Sequence, residues 1–196
     1  MTAPKITIAY YSTYGTNYQV ALEAKAAAEA AGAEARLRRF AETAPKEVVE
    51  GQDAWKEQLE KTSDIPEINH DDMEWADGYF FLSPTRYGQP ASQVRAFIDT
   101  LGPLWQAGKL INKTFTASTS AQTLHGGHEM TTMAMYVSAM HWGTIIVAPG
   151  YTDPILFETG NPYGYSAIAG ELPENGKKAV AHQAKRLVET TAKIIG

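Results

Sequence analysis

The sequence predicts an α/β protein with a doubly wound, five-stranded parallel sheet and helices on both faces. Three observations lead to this fold class. Short apolar runs without polar alternation recur along the chain, as in strands that are buried on both faces. Each run leads, directly or through a loop, to a segment with helical character, and such crossovers make successive strands parallel. The polar loops after the first, third and fourth runs then meet at one edge of the sheet, where such folds bind ligands.

The first predicted strand and helix enclose a small polar loop. The run Ile6–Tyr11 is β-branched and aromatic, and Tyr18–Ala31 is rich in alanine without glycine or proline, which favours a helix. The loop between them, Ser12–Asn17, would present free backbone amides at the positive end of the helix dipole, which predicts an anion site. It contains no Lys or Arg, so we expect a singly phosphorylated ligand rather than a triphosphate. The alternative is a plain helix N-cap made by Ser12, Thr13 or Thr16.

Four further strands are predicted along the chain. Gly32 is expected to end the first helix, and Ala33–Phe40 then alternates and is half polar, as near the edge of a sheet. Tyr79–Leu82 is strongly apolar and is interpreted as a central strand, and Thr114–Ser118 is the fourth strand. Thr144–Val147 is β-branched and is the fifth.

Helices are predicted at Ala54–Glu60, Asp71–Ala76, Ala91–Leu101, Glu129–Met140 and beyond Pro173. In the last helix an apolar stripe is expected to face the sheet, formed by Val180, Ala184, Leu187, Thr191 and Ile195. Polar loops are predicted at Ser83–Pro90 and Thr119–His128. The charged segment Glu42–Asn69 is interpreted as a surface excursion, with a subunit contact through Trp55 as the alternative.

Composition narrows the possible function classes. The 196 residues are enough for one domain with a substantial core, and we expect residues 1–196 to form a single domain. A net charge of −5 disfavours nucleic acid as a partner. The chain has no cysteine, so thiolate catalysis is excluded and redox chemistry would need a bound cofactor. The sequence shows no signal-peptide pattern and no apolar run of membrane length, so we predict a cytoplasmic protein.

Four motifs occur in order: Tyr11-Ser12-x-Tyr14-Gly15, Pro84-Thr85-Arg86-Tyr87-Gly88, a turn with Trp105, and His125-Gly126-Gly127-x-Glu129. Together they resemble the WrbA-type NAD(P)H:quinone oxidoreductases, which are flavodoxin-like FMN proteins, over nearly the whole chain. The resemblance implies non-covalently bound FMN, NADH or NADPH as co-substrate and two-electron reduction of quinones. It also implies a homotetramer whose active sites form between subunits.

The resemblance assigns roles to individual residues. The FMN phosphate would lie against Ser12, Thr13, Tyr14, Gly15, Thr16 and Asn17. The isoalloxazine ring would be bordered by Pro84, Thr85, Arg86, Tyr87, Gly88 and Gln89. Its pyrimidine side would face Ser120, Ala121 and Gln122, with Gly126 and Gly127 in the same loop. His141 is the expected catalytic residue, approaching the flavin from a neighbouring element, while Tyr14 and Trp105 match positions associated with the nicotinamide cofactor and the substrate.

Two stretches depart from the family pattern. The loop Ser118–Gly127 carries Ser120 and Ala121 where the family has Ser-Thr-Gly followed by a glycine-rich run, which reduces backbone freedom. The chain has His141-Trp142-Gly143 where the family often has His-His-Gly, so the second histidine is absent.

The implied reaction requires a positioned ring rather than a nucleophilic side chain. A hydride would pass from nicotinamide C4 to flavin N5 and then two electrons to a quinone on the same face, which predicts ping-pong kinetics. Backbone amides near N1 and O2, with Arg86, would stabilise negative charge on the reduced ring. His141 would donate to a flavin or quinone oxygen. The alternative is a hydrogen-bonded histidine at a helix C-terminus.

One other site and two other functions have some support in the sequence. His125 and His128 have i, i+3 spacing, but no third ligand stands in register and no metal is expected. A flavodoxin-type electron carrier would bind FMN without a nicotinamide site. A flavodoxin-like scaffold would bind a partner protein and no flavin.

Overall fold

The computed structural model describes residues 2–196, which are organised around one seven-stranded sheet. The strands are β1 (Lys5–Tyr10), β2 (Glu34–Arg39), β3 (Gly78–Arg86), β4 (Gln89–Pro90), β5 (Thr114–Ala121), β6 (Ile145–Ile146) and β7 (Ser166–Ile168). The main path has the order β2-β1-β3-β5-β6, with all neighbours parallel. β4 pairs antiparallel with β3, and β7 pairs parallel with β5. The parallel α/β prediction is confirmed.

The number of strands was wrong, because the sheet has seven rather than five. The two additional strands, β4 and β7, have two and three residues. Elements this short display no periodicity that a sequence pattern can detect. Both pair with the C-terminal ends of the central strands, at the edge where the polar loops converge.

The helices alternate with the strands along the chain. They are α1 (Thr16–Ala30), α2 (Lys46–Glu50), α3 (Asp53–Lys61), α4 (His70–Trp75), α5 (Ser92–Asp99), α6 (Gly102–Gln106), α7 (His128–His141), α8 (Pro154–Thr159) and α9 (Glu174–Ile195). The predicted helices are present, whereas α2, α6 and α8 were not predicted. Among residues 2–196, no helix has the length and apolarity that crossing a bilayer requires.

Two apolar layers enclose the sheet, one on each face. On β3, Tyr79 and Phe81 belong to the layer beneath α5 and α7, whereas Phe80 and Leu82 belong to the layer beneath α1 and α9. This alternation follows from the two-residue period of a strand. Both faces are therefore covered, as a parallel sheet requires.

The predicted stripe of α9 is correct for its first four members and wrong for the fifth. Val180, Ala184, Leu187 and Thr191 are buried, but Ile195 is 39% exposed. α9 has 22 residues, so its last turn extends beyond the elements against which it packs.

Two stretches predicted as loops are the ends of long strands. Ser83–Arg86 continues β3, and residues 119–121 continue β5. Two of their hydroxyls form hydrogen bonds inside the sheet: Thr119 Oγ1 donates to the Ser83 carbonyl oxygen at 2.7 Å, and Ser83 Oγ accepts from the Ala91 amide at 2.8 Å. Small hydroxyl residues can therefore extend a buried strand when their own hydrogen bonds are made.

Candidate active site

A cleft lies at the C-terminal edge of the sheet, where the loops after β1, β3 and β5 meet. Its enclosed volume is about 120 Å³, and it is lined by Ser12, Thr13, Tyr14, Thr16, Pro84, Thr85, Arg86, Ser120, Ala121, Gln122 and Ala169. Ten of these eleven residues were predicted from the sequence. The order β2-β1-β3-β5 places the ends of β1, β3 and β5 side by side, which is why residues more than 100 positions apart share one site.

The loop after β1 presents an uncapped helix N-terminus to the cleft. Gly15 is the N-cap of α1, with φ +96°, and no side chain caps the helix. Ser12 Oγ instead accepts a hydrogen bond from the Gly15 amide at 3.0 Å, so the N-cap alternative for Ser12, Thr13 and Thr16 does not hold. The amides of the first turn of α1 therefore remain available to an anionic ligand.

Two further contacts hold this loop in place. Asn17 Nδ2 donates to the Tyr11 carbonyl oxygen at 3.1 Å, and Thr16 Oγ1 accepts from the Gly170 amide at 3.2 Å. Among residues 2–196, Asn17 Oδ1 is buried without a hydrogen-bond partner. Burial raises the pKa of Tyr11, and its hydrogen bond to Glu42 raises it further, so the hydroxyl remains a donor.

The β3–β4 hairpin forms the second wall. Its two turn residues, Tyr87 and Gly88, both have positive φ, +53° and +77°, as the tight turns of hairpins require. Thr85 Oγ1 accepts from the Gly88 amide at 3.2 Å and from Thr131 Oγ1 at 2.7 Å. Tyr87 is fully exposed. Its ring lies in solvent, so Tyr87 has no packing role within this chain.

The third wall packs closely against the hairpin through glycines. Gly127 has φ +93°, and a Cβ atom there would lie 2.8 Å from the Gly88 Cα atom. A Cβ at Gly126 would lie 2.5 Å from that of Ala121. Only glycine permits the loop before α7 to approach this closely. Ser120 and Ala121, at the end of β5, face the same cleft.

Arg86 supplies the positive charge of the cleft. One guanidinium nitrogen donates to Thr13 Oγ1 at 2.7 Å, and another donates to the Thr85 carbonyl oxygen at 3.2 Å. It therefore links the hairpin to the loop after β1. A guanidinium beside an uncapped helix N-terminus is suited to an anionic ligand.

His141 and Trp105 do not line this cleft. His141 is the last residue of α7, whose first residue lies beside the cleft; 14 residues span about 20 Å. Trp105 is 57% exposed, and its Nε1 donates to the His141 carbonyl oxygen at 3.0 Å. The two residues lie together, with His141 in a groove between α5 and α7 whose other lining residues include Gln89.

Three neighbours of the cleft were missed by the sequence reasoning. Ala169 follows the three-residue strand β7, and a stretch that short gives no sequence signal. Gln52 Oε1 accepts a hydrogen bond from the Tyr14 hydroxyl at 2.5 Å. Thr131 donates to Thr85 from α7, a helix whose sequence pattern indicates a packing role only. These contacts come from segments remote in sequence, and no local pattern marks them.

His125 and His128 do not form a metal centre with other residues. In the part of the chain from residue 2 onwards, no group of three or more His, Asp or Glu side chains has the arrangement that holds a metal ion. The ring nitrogens of His128 lie 3.2 Å from the carbonyl oxygens of Leu124 and Ala167. His128 therefore contributes to the packing of α7 against β7.

The residues of the cleft fit the cofactor that the sequence resemblance implies. A phosphate monoester matches the uncapped N-terminus of α1 with its neighbouring hydroxyls and the guanidinium of Arg86. A planar ring system matches the space between the exposed hairpin and the end of β5. The arrangement can bind an anion at one end and leave a ring face open to a second molecule at the other.

Known proteins match the chain over most of its length. Residues 6–152 match the family described as NADPH-dependent FMN reductase. A Deinococcus radiodurans protein named NAD(P)H dehydrogenase (quinone) is 53% identical over 100% of both chains. A protein of the same name from Geotalea uraniireducens is 36% identical over 97% of this chain and 98% of its own.

A solved structure supports the fold independently. The flavodoxin, WrbA-like protein from Agrobacterium tumefaciens matches with a TM-score of 0.71 over 98% of this chain and 99% of that one, at 20% identity. This match shows the fold, and the family model with the full-length relatives confirms the family that the motifs indicated. The chain belongs to the WrbA-type NAD(P)H:quinone oxidoreductases, within the family described as NADPH-dependent FMN reductase.

Proposed function

We propose that this protein is an FMN-dependent enzyme that reduces quinones with NADH or NADPH, acting through the cleft at the end of β1, β3 and β5. The observation that carries the proposal is the uncapped N-terminus of α1, which shares one cleft with Arg86. Full-length relatives named NAD(P)H dehydrogenase (quinone) support the choice of substrates. We propose that residues 1–196 form a single domain.

Each wall of the cleft has a role in this proposal. The first-turn amides of α1, with Ser12, Thr13 and Thr16, bind the phosphate. Thr85 and the hairpin tip orient one side of the ring, while Ser120, Ala121 and Gln122 face its pyrimidine side. Arg86, fixed by Thr13, places positive charge where negative charge develops on reduction.

FMN, when bound, supplies the redox chemistry by accepting a hydride from the nicotinamide and passing two electrons to the quinone. The chain provides binding, orientation and exclusion of water around that ring. Tyr14, which is 52% exposed, and the fully exposed Tyr87 offer aromatic surfaces against which a nicotinamide or a quinone can stack. Because one open face serves both substrates in turn, we expect ping-pong kinetics.

His141 and Trp105 enter the proposal through assembly. Both lie away from the cleft of their own chain, so they act on a flavin only if a second subunit brings them there. The outer side of α7 exposes Met130, Val137 and Met140, an apolar surface suited to a subunit contact. We therefore propose a homotetramer in which His141 of one subunit donates a proton to the quinone oxygen in the site of another.

The first test is the absorbance of the protein loaded with FMN, before and after anaerobic NADH or NADPH, and then after benzoquinone. The proposal predicts flavin bands that bleach with the nicotinamide and return with the quinone. Bands that persist with NAD(P)H but bleach with dithionite would favour an electron carrier instead. A protein that binds no FMN would favour the scaffold.

The role of His141 is tested by mixing subunits. Analytical ultracentrifugation should give a molecular mass four times the chain mass of 21.4 kDa. His141→Ala subunits and subunits that cannot bind FMN would each be inactive, yet mixed tetramers should regain part of the activity. No recovery in mixed tetramers of proven composition would reject the shared site.

A further inference from the structure

The carboxylate of Glu42 receives five hydrogen bonds. Its Oε2 accepts from the Tyr11 hydroxyl at 2.8 Å and from Trp55 Nε1 at 3.0 Å. Its Oε1 accepts from Gln93 Nε2 at 2.6 Å and from the backbone amides of the next two residues, each at 2.9 Å. One carboxylate thus joins three segments that are far apart in sequence. This cluster is not part of the cleft lining.

The Tyr11 contact reaches the loop that presents the N-terminus of α1. Tyr11 is 5% exposed and directly precedes Ser12. Its carbonyl oxygen accepts from Asn17 Nδ2, so the ring of Tyr11 is held by Glu42 while its backbone is held by the first turn of α1. The position of Tyr11 therefore sets the position of the loop.

The Gln93 contact reaches the base of the hairpin. Gln93 lies in the first turn of α5, directly after β4, and is 7% exposed. The Ala91 amide donates to Ser83 Oγ at 2.8 Å, which ties this turn to β3. Glu42 therefore connects the wall that carries Arg86 and Tyr87 to the wall that carries Ser12–Asn17.

The negative charge of Glu42 is partly buried, and it lies behind the proposed phosphate site, where it is unfavourable. Burial raises the pKa of Glu42, but hydrogen bonds from the Ala44 amide, Gln93, Tyr11 and Trp55 together outweigh it and hold the pKa below its usual range. Glu42 is thus an anion, and within residues 2–196 its carboxylate forms no ion pair. A negative charge behind a phosphate site opposes phosphate binding. Any benefit of Glu42 to phosphate binding must therefore come from the geometry that its hydrogen bonds impose.

We infer that Glu42 is a positioning residue for the cofactor, because it sets the separation between the loop Ser12–Asn17 and the β3–β4 hairpin. This inference rests on the proposed FMN site. Glu42 acts through Tyr11 and Gln93 and touches neither FMN nor substrate. Neutral donors surround the carboxylate on both oxygens, two on Oε2 and three on Oε1, so a carboxamide cannot replace it without turning an amide N–H towards a donor.

The test is the retention of FMN by Glu42→Gln, measured as fluorescence of free FMN when the loaded protein is diluted. If Glu42 acted only by its charge, removing that charge would tighten binding. Positioning predicts the opposite, a dissociation constant raised at least about tenfold. Retention of FMN equal to or tighter than that of wild type would overturn the inference.

Two conservative variants separate the two walls. Tyr11→Phe removes only the hydroxyl on the phosphate side, so FMN binding should weaken while riboflavin binding stays unchanged. Gln93→Met removes the contact on the ring side, so both flavins should bind more weakly. If Glu42→Gln does not fold, these two variants carry the test, and unchanged FMN retention in both would reject the inference.

Glu67→Gln is the matched control. Glu67 lies in the same part of the chain, is half exposed and pairs with Arg39 at 2.9 Å, away from the cleft. It should retain FMN as wild type does; a loss equal to that of Glu42→Gln would indicate a general loosening and reject positioning. Wild-type protein that does not hold FMN would reject the proposed function itself, whereas a wild type that holds it alongside an unaffected Glu42→Gln would reject only the role of Glu42.

Discussion

The guanidinium of Arg86 donates a hydrogen bond to Thr13 Oγ1 over 2.7 Å and thereby bridges two walls of the cleft. Arg86 ends β3, and Thr13 lies in the loop after β1. Arg86 is also the only charged side chain among the described residues that line the cleft. The same contact therefore fixes the cation and closes the site, which makes Arg86 the first residue to test.

Arg86→Gln should weaken FMN binding about tenfold, because a charge-assisted contact and the bridge to Thr13 are both lost. Fluorescence titration at two salt concentrations measures this, and the affinity of the variant should depend less on salt than that of wild type. Lys185→Gln, which removes an exposed cation from α9, is the control and should bind normally. Wild-type affinity in Arg86→Gln would contradict the assigned role.

Gly127→Ala should destabilise the protein by about 2–4 kcal/mol, because the new Cβ is strained at positive φ and also meets the hairpin backbone. Gly32→Ala separates these effects. Gly32 has φ +91°, but no atom lies within 4 Å of the Cβ position, so only about 1 kcal/mol of backbone strain is expected. Urea unfolding measures both, and equal losses would show that the close approach of Gly127 to Gly88 is not limiting.

Gln183→Leu should cost about 2–4 kcal/mol, because four buried partners lose their hydrogen bonds together. Gln183 is 1% exposed. Its amide donates to Thr116 Oγ1 and the Ala117 carbonyl oxygen, and its oxygen accepts from Ser118 Oγ and the Tyr165 amide. It thus holds the loop before β7 against β5.

Gln58→Leu provides the comparison for Gln183. Gln58 is 8% exposed, and its Nε2 has no partner among residues 2–196. Replacing an unsatisfied amide with an apolar group removes a desolvation cost. The unfolding free energy should therefore fall far less in Gln58→Leu than in Gln183→Leu. An equal loss in the two variants would refute this hydrogen-bond account.

Lys113 should make stability rise with pH from about 8 to about 10. Its Nζ donates to three carbonyl oxygens at the end of α4, those of Met73, Glu74 and Ala76. Burial lowers the pKa of Lys113 to about 8, with the neighbouring Lys109 adding to the fall while Asp77 and Glu74 oppose it. The unfolded amine titrates near about 10.4, so in this window the unfolded chain binds more protons.

The measurement is urea unfolding of wild type and Lys113→Met across this range. Wild type should gain about 1 kcal/mol relative to the variant between pH 8 and about pH 10, which is half of the about 2 kcal/mol that the full difference in pKa would give, because Lys113 is only partly buried. Burial raises the pKa of Tyr10 to about 12, whereas an unfolded tyrosine titrates at about 10, so buried tyrosines lower stability from about pH 10 upwards, equally in both proteins. Parallel profiles for the two proteins would contradict the lowered pKa.

Much of the fold could be predicted because its signals are local. The unalternating run in β1 and the alanine-rich α1 each indicate their structure within a few residues, and the crossover rule then makes the sheet parallel. The loops after β1, β3 and β5 could be assigned to one site because parallel strands end at a common edge. The short strands β4 and β7 could not, because two or three residues contain no period.

The segment Glu42–Asn69 illustrates the limit. Its sequence is charged and weakly periodic, yet besides the predicted α3 it forms α2 and anchors both walls of the cleft through Glu42. Two of the donors that hold the Glu42 carboxylate, Tyr11 and Gln93, lie 31 and 51 residues away from Glu42. No local pattern reports a contact of that range.

The sequence by itself determined the fold class and the polar loop after β1, since these depend on periodicity and on motifs of a few neighbours, and its family resemblance indicated ten of the eleven residues that line the cleft. Only the tertiary structure decided that α1 is uncapped, that Arg86 reaches Thr13, and that His141 does not line the cleft of its own chain. The reason is physical: helix and strand preferences act between residues a few positions apart, whereas side-chain hydrogen bonds and distances across a cleft depend on how distant segments pack.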